Sequence, residues 1–209
     1  MVITKNLSED IIKQLETHEL VSIPASEADY LTVAHELPFK VEYHENEIIT
    51  MGLASYWHEI LTARFIALFY QTFDKLEDEF NVLASNSGIS IPKFEGEYFM
   101  PDVMVVKGEP AFMPNSKAII TNPHIVVEVM SVATSKFDRE SKLPEYKHIQ
   151  SLQQIIYVNP RKVAVSTYIR TENPSIWLNQ DFNSLDESIV VEGESISLSA
   201  IYKKIKFDR

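Results

Sequence analysis

The sequence predicts an α/β fold in which a mixed sheet carries helices on its faces. The centre of the chain is predicted to run as a long helix, several strands, a second helix and another strand, which is typical of a layered α/β domain. Residues 124–131 (HIVVEVMS) are a nearly unbroken apolar run, as expected of a strand buried on both faces. Residues 55–76 place large apolar side chains on one stripe at helical spacing, which predicts the longest helix.

Composition limits the class of protein. The chain has 209 residues, of which 45% are hydrophobic, so disorder is excluded and one globular domain is expected. The absence of cysteine excludes disulfides, thiolate zinc sites and cysteine nucleophiles. No apolar run is long enough for a membrane helix, and acidic residues near the N-terminus argue against a signal peptide. We therefore expect a cytoplasmic protein that makes no membrane contact.

The net charge is −11, from 19 basic and 30 acidic residues. Binding to nucleic acid depends on the neutralisation of phosphates, so this charge argues against a large nucleic-acid footprint. Clustered acids can also hold a divalent cation, which reverses the local sign of charge. Acidity therefore weakens the case for a nucleic-acid partner without removing it.

The N-terminal region is predicted to be helical up to residue 38. Ser26 and Asp29 have the spacing of a capping box at the start of a second helix, and Pro38 ends that helix. Residues 39–44 and 47–51 then predict a strand pair, with Glu45 and Asn46 as its turn.

The rest of the chain predicts mainly strands. Further strands are expected at 80–85, 98–106, 153–159 and 162–170, and a helix at 138–149 that Pro144 kinks or restarts. A β extension and a last helix at 197–205 follow. We expect one domain over residues 1–209: a helical extension (1–38), a core (about 39–160), and a C-terminal β extension with its helix (161–209).

Two carboxylates on neighbouring strands are the most informative feature. Asp102 follows Pro101 at the start of a strand, and Glu128 lies within an apolar strand. A charge buried alone there would cost several kcal/mol, so it must be paired, hydrogen-bonded or bound to a metal. Glu128 could simply form an ion pair with a covering helix, and Asp102 could form an Asx-type turn. Both together, followed by a helix that carries Lys142, favour a functional site.

The helix after Glu128 adds three polar side chains on one face. Asp138, Lys142 and Tyr146 are spaced i, i+4 and i+8, and sites in open α/β sheets collect at the strand ends that lead into such helices. The structural alternatives are an exposed Lys142 paired with Asp138, and a Tyr146 that packs in the core. His58, near the start of the long helix, could equally be a hydrogen-bonded neighbour of another helix.

These pieces, in this order, resemble the PD-(D/E)xK nuclease superfamily and, within it, the Uma-type family of predicted endonucleases. The resemblance covers about residues 39–160 and is carried by Glu45-Asn46-Glu47, Met51, His58, Pro101-Asp102-Val103, Glu128-Val129-Met130-Ser131, Lys142 and Tyr146. Met130 stands where the superfamily motif has lysine, and the Uma-type pattern points instead to Lys142. Asn46 replaces a usual glycine, and Asn tolerates a positive φ there.

The resemblance implies a restriction-endonuclease-like fold and metal-assisted hydrolysis of DNA phosphodiesters. Asp102 and Glu128 would bind Mg²⁺, with Mn²⁺ as a substitute, the Val129 carbonyl as a third ligand and Glu47 as a further acidic contact. Lys142 would orient or help deprotonate the attacking water and offset charge in the transition state. His58 and Tyr146 would complete the catalytic set. A homodimer would place two such sites on two DNA strands.

Duplex binding by so acidic a chain requires a local basic surface, which we expect from Lys136, Arg139, Lys142 and Lys147 with the tail residues Lys203, Lys204 and Lys206. Two other functions stay open. One is a catalytically inactive interaction protein on the same fold, favoured by Met130 and the acidic surface. The other is a metal-dependent hydrolase of small phosphodiesters, which needs no basic groove.

Overall fold

A computed structural model describes the fold in residues 3–91, 97–131 and 135–207. The helices are α1 (Ile3–Leu15), α2 (Glu27–Glu36), α3 (Tyr56–Phe73), α4 (Ser135–Phe137), α5 (Leu143–Tyr146) and α6 (Leu198–Ile201), and a π-helical turn, π1 (Asp138–Lys142), joins α4 to α5. The strands are β1 (Leu20–Pro24), β2 (Val41–His44), β3 (Glu47–Met51), β4 (Phe80–Ala84), β5 (Gly88–Ser90), β6 (Tyr98–Phe99), β7 (Val103–Lys107), β8 (Ile119–Ile120), β9 (Ile125–Val129), β10 (Gln154–Val158), β11 (Val165–Arg170), β12 (Trp177–Phe182), β13 (Ser188–Val191) and β14 (Glu194–Ser197).

The strands form two six-stranded sheets and a separate hairpin. The first sheet has the order β1-β3-β2-β6-β5-β8, the second has the order β12-β11-β10-β9-β7-β4, and β13 pairs with β14. In the second sheet β9 and β10 are parallel, whereas their outer neighbours are antiparallel. The predicted mixed α/β class is therefore confirmed.

Alternation along the central strands places two cores on opposite faces of the second sheet. Val103, Val105 and Val127 pack against α3, whose side of the core includes Phe65 and Phe69. Met104, Val106 and Val126 face the other way, toward Phe99 of the first sheet and Tyr146 of α5. Side chains of β9 with even numbers, including Glu128, therefore point into the space between the two sheets.

Most predicted elements are present with shifted ends. Strand β9 is buried at every position, as its apolar run predicts. Ser26 caps α2 through a complete capping box, and that helix ends at Glu36, before Pro38. The turn of the β2–β3 hairpin has a φ of 50° at Glu45 and 63° at Asn46, the left-handed backbone that a type I′ hairpin turn requires.

Two predicted elements are wrong in their continuity. The strand expected at 98–106 divides at Pro101 and Asp102 into β6, in the first sheet, and β7, in the second. Proline cannot donate to a strand ladder, so the chain changes sheets there. The helix expected at 138–149 is instead π1 followed by α5, and Pro144 lies in the first turn of α5.

Short elements account for the other differences. The sequence analysis did not predict β1, β5, β8 or β14, and the last helix is only four residues long instead of extending over 197–205. Two- or three-residue strands such as β8 and β5 carry too little periodicity to detect. Throughout the three described ranges, each helix is too short or too polar to cross a lipid bilayer.

Candidate active site

The crossover between the two sheets positions Asp102. Its amide donates to the carbonyl of Val127 at 3.1 Å, which fixes the chain at the start of β7. The carboxylate then accepts a hydrogen bond from the amide of Val129, with 2.8 Å between Oδ2 and that nitrogen. Asp102 is therefore fixed against β9 next to Glu128, as the sequence analysis expected of carboxylates on neighbouring strands.

Two basic side chains complete the contacts of Asp102. The Lys40 ammonium lies 2.9 Å from Oδ1, and His58 Nε2 lies 3.1 Å from Oδ2. Lys40 comes immediately before β2, and His58 lies in the first turn of α3, whose N-cap is Ser55. His58 is thus held by the central carboxylate rather than by another helix, which was its structural alternative.

Lys142 supplies the ammonium group that contacts Glu128. Its Nζ lies 2.7 Å from Glu42 Oε1, 3.1 Å from Glu128 Oε1 and 3.3 Å from Asp138 Oδ1, and the residue is only 1% exposed. The pair with Asp138 that the sequence suggested exists, but it is buried rather than exposed. Residues 138–142 form a π-helical turn, a feature that is frequent at functional sites.

Tyr146 lies one helical turn beyond Lys142 and is also fully buried. Its hydroxyl donates to Glu128 Oε1 at 2.7 Å. Glu128 therefore receives hydrogen bonds from two of the three residues on the predicted helix face, Lys142 and Tyr146. Tyr146 packs in the core, which was its structural alternative. Its hydroxyl also positions the carboxylate of Glu128.

Glu42 is a third carboxylate, which the sequence analysis missed. Its Oε1 accepts from the Met100 amide at 2.7 Å and from Lys142, whereas Oε2 is buried and has no hydrogen-bond partner within the described ranges. A signal for it was present: Lys40, Glu42 and His44 alternate along one strand, so three polar side chains share one face. Strand β2 is buried at every position, so this alternation gives it a polar interior face.

The surroundings shift the pKa values of these groups in different directions. Burial raises the pKa of Asp102, but Lys40 and His58 outweigh it and hold that pKa well below its usual range. Burial raises the pKa of Glu128 to about 7, against the opposing effect of Lys142. Burial lowers the pKa of Lys142, but Glu128, Glu42 and Asp138 raise it well above its ordinary value. These three carboxylates therefore favour the charged form of Lys142.

A cleft of about 740 Å³ opens onto this cluster. Among its lining residues are Lys40, His58, Asp102, Glu128 and Lys142. Both carboxylates thus lie at the wall of this cleft, although each is almost completely buried. The two carboxylates and the lysine that the sequence analysis singled out do converge on one cleft.

The cluster has an excess of negative charge. Among the residues with assigned positions, four carboxylates meet two ammonium groups: Glu42, Asp102, Glu128 and Asp138 against Lys40 and Lys142. His58, whose pKa is lowered by burial but raised more strongly by Asp102, supplies part of the remaining positive charge. Such an excess, carried on hard oxygen atoms, suits a divalent cation of the Mg²⁺ type.

The ligand geometry agrees with this chemistry only in part. Over the described ranges, no group of three or more His, Asp or Glu side chains is arranged to hold a metal ion. The set expected from the sequence, two carboxylates plus the Val129 carbonyl, does not need a third side chain. Val129 lines the same cleft as the two acids, and its amide anchors Asp102. Carboxylate and carbonyl oxygens are donors of the kind that Mg²⁺ prefers, and Lys40 contacts one of the carboxylates.

Glu47 is not brought to this cleft, contrary to the expectation. It lies opposite His44 in the register of β2 and β3, at the end of the hairpin nearest the turn. Its carboxylate accepts a hydrogen bond from Ser22 Oγ of β1. The residue does not line the cleft. Glu42, farther from the turn on the facing strand, is the hairpin carboxylate that contacts Lys142.

The basic surface expected around the site is also not formed as predicted. Lys142 is buried in the cluster, and Arg139 turns toward Met130 Sδ and Ser166 Oγ, at 3.4 Å from each. Lys147 lies over the Tyr168 ring. The side chain of Lys136 lies outside the described residues. Exposed lysines remain in the C-terminal tail: Lys203, Lys204 and Lys206.

Comparisons with known proteins agree with this architecture. The crystal structure of "a putative nuclease belonging to DUF820" from Anabaena variabilis ATCC 29413 superposes on this chain with a TM-score of 0.65. The match covers 86% of this chain and 98% of that one at 17% identity, which is evidence for the shared fold.

Two proteins of Synechocystis sp. (strain ATCC 27184 / PCC 6803 / Kazusa) are also similar in sequence. "Uncharacterized protein sll1609" is 32% identical over 132 residues, which are 63% of this chain and 73% of that protein. "Uncharacterized protein slr1290" is 28% identical over 184 residues, which are 87% of this chain and 93% of that protein.

The profile of the Uma2 family, described as "Putative restriction endonuclease", matches residues 28–200. The matched range begins in α2 and ends in α6, so it contains the second sheet, all strands of the first sheet except β1, and the whole site. The family description supports a nuclease-like function. The chain therefore belongs to the Uma2 family.

Proposed function

We propose that this protein is a Mg²⁺-dependent endonuclease that hydrolyses DNA phosphodiester bonds, with Mn²⁺ as a substitute for Mg²⁺. One observation carries the proposal: Asp102 and Glu128, from neighbouring strands, both line a solvent-reachable cleft, and each has a lysine ammonium within 3.1 Å. Two acids and basic groups around one reaction centre are the set that metal-assisted phosphodiester hydrolysis requires.

The proposed metal ligands are the carboxylates of Asp102 and Glu128 and the carbonyl of Val129. When bound, the ion would polarise a phosphate oxygen and lower the pKa of a bound water. The residues of the chain prepare this site: the Val129 amide and His58 fix one oxygen of Asp102, and Tyr146 with Lys142 fixes one oxygen of Glu128. No described hydrogen bond is made to the other oxygen of Glu128.

The proposed role of Lys142 is electrostatic. Burial lowers the pKa of Lys142, but the neighbouring carboxylates raise it further. The ammonium contacts Glu128 and Glu42 and would offset part of the charge on a phosphorane-like transition state. His58 directs Nε2 toward Oδ2 of Asp102 and lines the cleft. These two contacts support a role for His58 in proton transfer at Asp102. Tyr146 is fully buried, so its role is to position Glu128 rather than to contact phosphate.

The test is nicking of a supercoiled plasmid in Mg²⁺ or Mn²⁺. Because a metal site supplies several kcal/mol of transition-state stabilisation, we expect Asp102→Ala and Glu128→Ala to lower the rate by about 100-fold or more. Asp186→Ala, an exposed acid outside the cleft, is the matched control and should nick normally. Asp102→Asn and Glu128→Gln preserve side-chain volume and guard against loss of folding.

Nicking that survives in both folded isosteric variants would exclude the assigned site. Absence of nicking by the wild type on any DNA tested would remove the endonuclease proposal. Calorimetry without a metal signal at millimolar Mg²⁺ would then favour an inactive interaction protein on the same fold.

A hydrolase of small phosphodiesters is the second candidate. Acidic residues also line the outer part of the cleft, among them Glu16, Glu19 and Glu59, whereas Arg161 and Lys40 are basic. This balance repels the phosphates of a duplex more than it repels a single small ester. Hydrolysis of a small chromogenic phosphodiester, with no action on plasmid or oligonucleotide, would favour this candidate.

A further inference from the structure

Lys40 and Lys142 hold the two site carboxylates in different ways. Lys40 makes one ion pair within the described residues, to Asp102 Oδ1 at 2.9 Å, and its side chain is 18% exposed. Lys142 makes three ion pairs and its side chain is 1% exposed. Removal of Lys142 would deprive three buried carboxylates of their cation, whereas removal of Lys40 would affect Asp102 alone. Displacement of Lys40 is therefore the less costly of the two.

The two oxygens of Asp102 also differ. Oδ2 is held by the Val129 amide at 2.8 Å and by His58 at 3.1 Å, so it is committed to the protein. Oδ1 has one described partner, the Lys40 ammonium. A cation entering from the cleft would therefore bind at Oδ1, and Lys40 already occupies that position.

We propose that Lys40 is a resident counter-ion at the metal site: a divalent cation binds Asp102 Oδ1 by displacing the Lys40 ammonium into the cleft. This inference rests on the metal-dependent function proposed above. Over the described ranges no three acidic or histidine side chains are arranged to hold a metal ion, and in this arrangement Lys40 contacts Oδ1 of Asp102. The lysine keeps the acid compensated until the divalent cation arrives, since an isolated buried carboxylate is costly.

The inference predicts that removal of the Lys40 charge strengthens metal binding. A unit charge about 3 Å from the ligand oxygen competes directly with the ion, so we expect Lys40→Met to bind Mn²⁺ roughly tenfold more tightly or better. Lys40→Arg keeps the charge and should not show the gain. Lys203→Met removes an exposed lysine outside the cleft and should bind as the wild type does. The gain should also vanish in the Asp102→Asn background.

The metal-free full-length protein is titrated with Mn²⁺. Calorimetry measures the heat of binding, and electron paramagnetic resonance measures the Mn²⁺ that stays free. Tighter binding in Lys40→Met alone supports the inference. Equal or weaker binding in that variant, or no binding by any variant, overturns it. Neither readout uses catalysis. Tighter Mn²⁺ binding by Lys40→Met without any nicking by the wild type would support the counter-ion role and reject the nuclease. Nicking by the wild type without tighter binding by Lys40→Met would support the nuclease and reject the counter-ion role.

A second measurement uses the wild type, so it does not depend on the variants folding. Amine labelling with acetic anhydride, followed by mass spectrometry, reports the accessibility of each lysine. Addition of Mn²⁺ should raise labelling of Lys40 several-fold, while Lys142 stays protected. No change at Lys40 at a saturating Mn²⁺ concentration would overturn the displacement.

Discussion

The ammonium of Lys142 lies 2.7 Å from Oε1 of Glu42, a residue 100 positions earlier in the chain, and both are almost completely buried. This contact joins the hairpin of the first sheet to the π-helical turn that follows β9. The same ammonium also holds Glu128 and Asp138. Lys142 therefore stabilises the meeting point of the two sheets as well as the site.

Replacement of Lys142 is expected to destabilise the fold strongly. Lys142→Met leaves three carboxylates without their shared cation, and breaking a buried pair in this way costs about 3–5 kcal/mol. Urea denaturation measures the free energy of unfolding, with Lys203→Met as the exposed control, expected within about 0.5 kcal/mol of the wild type. A loss below about 1 kcal/mol for Lys142→Met would show that the carboxylates do not depend on this ammonium.

Removal of the Tyr146 hydroxyl should have a smaller effect. Tyr146→Phe deletes the 2.7 Å hydrogen bond to Glu128, and a hydrogen bond to a charged group contributes about 1.5–3 kcal/mol. Tyr70→Phe is the control, since that hydroxyl makes a long 3.4 Å contact on an exposed residue. Thermal or urea unfolding should separate the two variants. Equal stabilities would mean that Glu128 is held without Tyr146.

Glu192 should make stability depend on pH. Its carboxylate contacts His124 Nε2 at 2.8 Å and Lys107 at 3.5 Å, which ties the β13–β14 turn to the second sheet. The hydrogen bond from His124 is the main effect that lowers the pKa of Glu192 below its usual 4.5. A lowered folded pKa gives stability that is present above pH 4.5 and is lost as the pH falls through the folded value.

We therefore expect Glu192→Gln to cost about 1 kcal/mol near neutral pH. The difference from the wild type should shrink as the pH falls below 4.5, because the unfolded chain takes up a proton at Glu192 more readily than the folded one. Urea denaturation at a series of pH values provides the measurement. A difference that stays constant down to pH 3.5 would contradict the assigned titration.

The hairpin turn should tolerate glycine but not alanine at Asn46. Its φ is 63°, and left-handed backbone costs ordinary residues about 1 kcal/mol or more. Asn46→Ala should therefore lower the free energy of unfolding by about 1 kcal/mol, whereas Asn46→Gly should change it by less than about 0.5 kcal/mol. The two variants serve as controls for each other in one denaturation series. A destabilising glycine would show that the Asn46 side chain, rather than its backbone, stabilises the turn.

The sequence by itself determined those features that depend on local pattern. The alternation and apolar run of β9, the capping box of α2 and the Glu45–Asn46 turn are decided by neighbouring residues, so their prediction succeeded. The spacing of Asp138, Lys142 and Tyr146 likewise brought one helix face to Glu128, because all three lie within nine residues.

Only the tertiary structure decided which distant residues complete the site. Lys40 and Glu42 reach Asp102 and Lys142 across 62 and 100 positions, and no local period encodes such a meeting. Glu47 does not line the cleft, and Glu42 of the same hairpin contacts Lys142 instead, because strand pairing, rather than acidity near a turn, decides where each side chain points. The division of residues 98–107 between two sheets placed Asp102 there, and that division follows from how the sheets pack against each other.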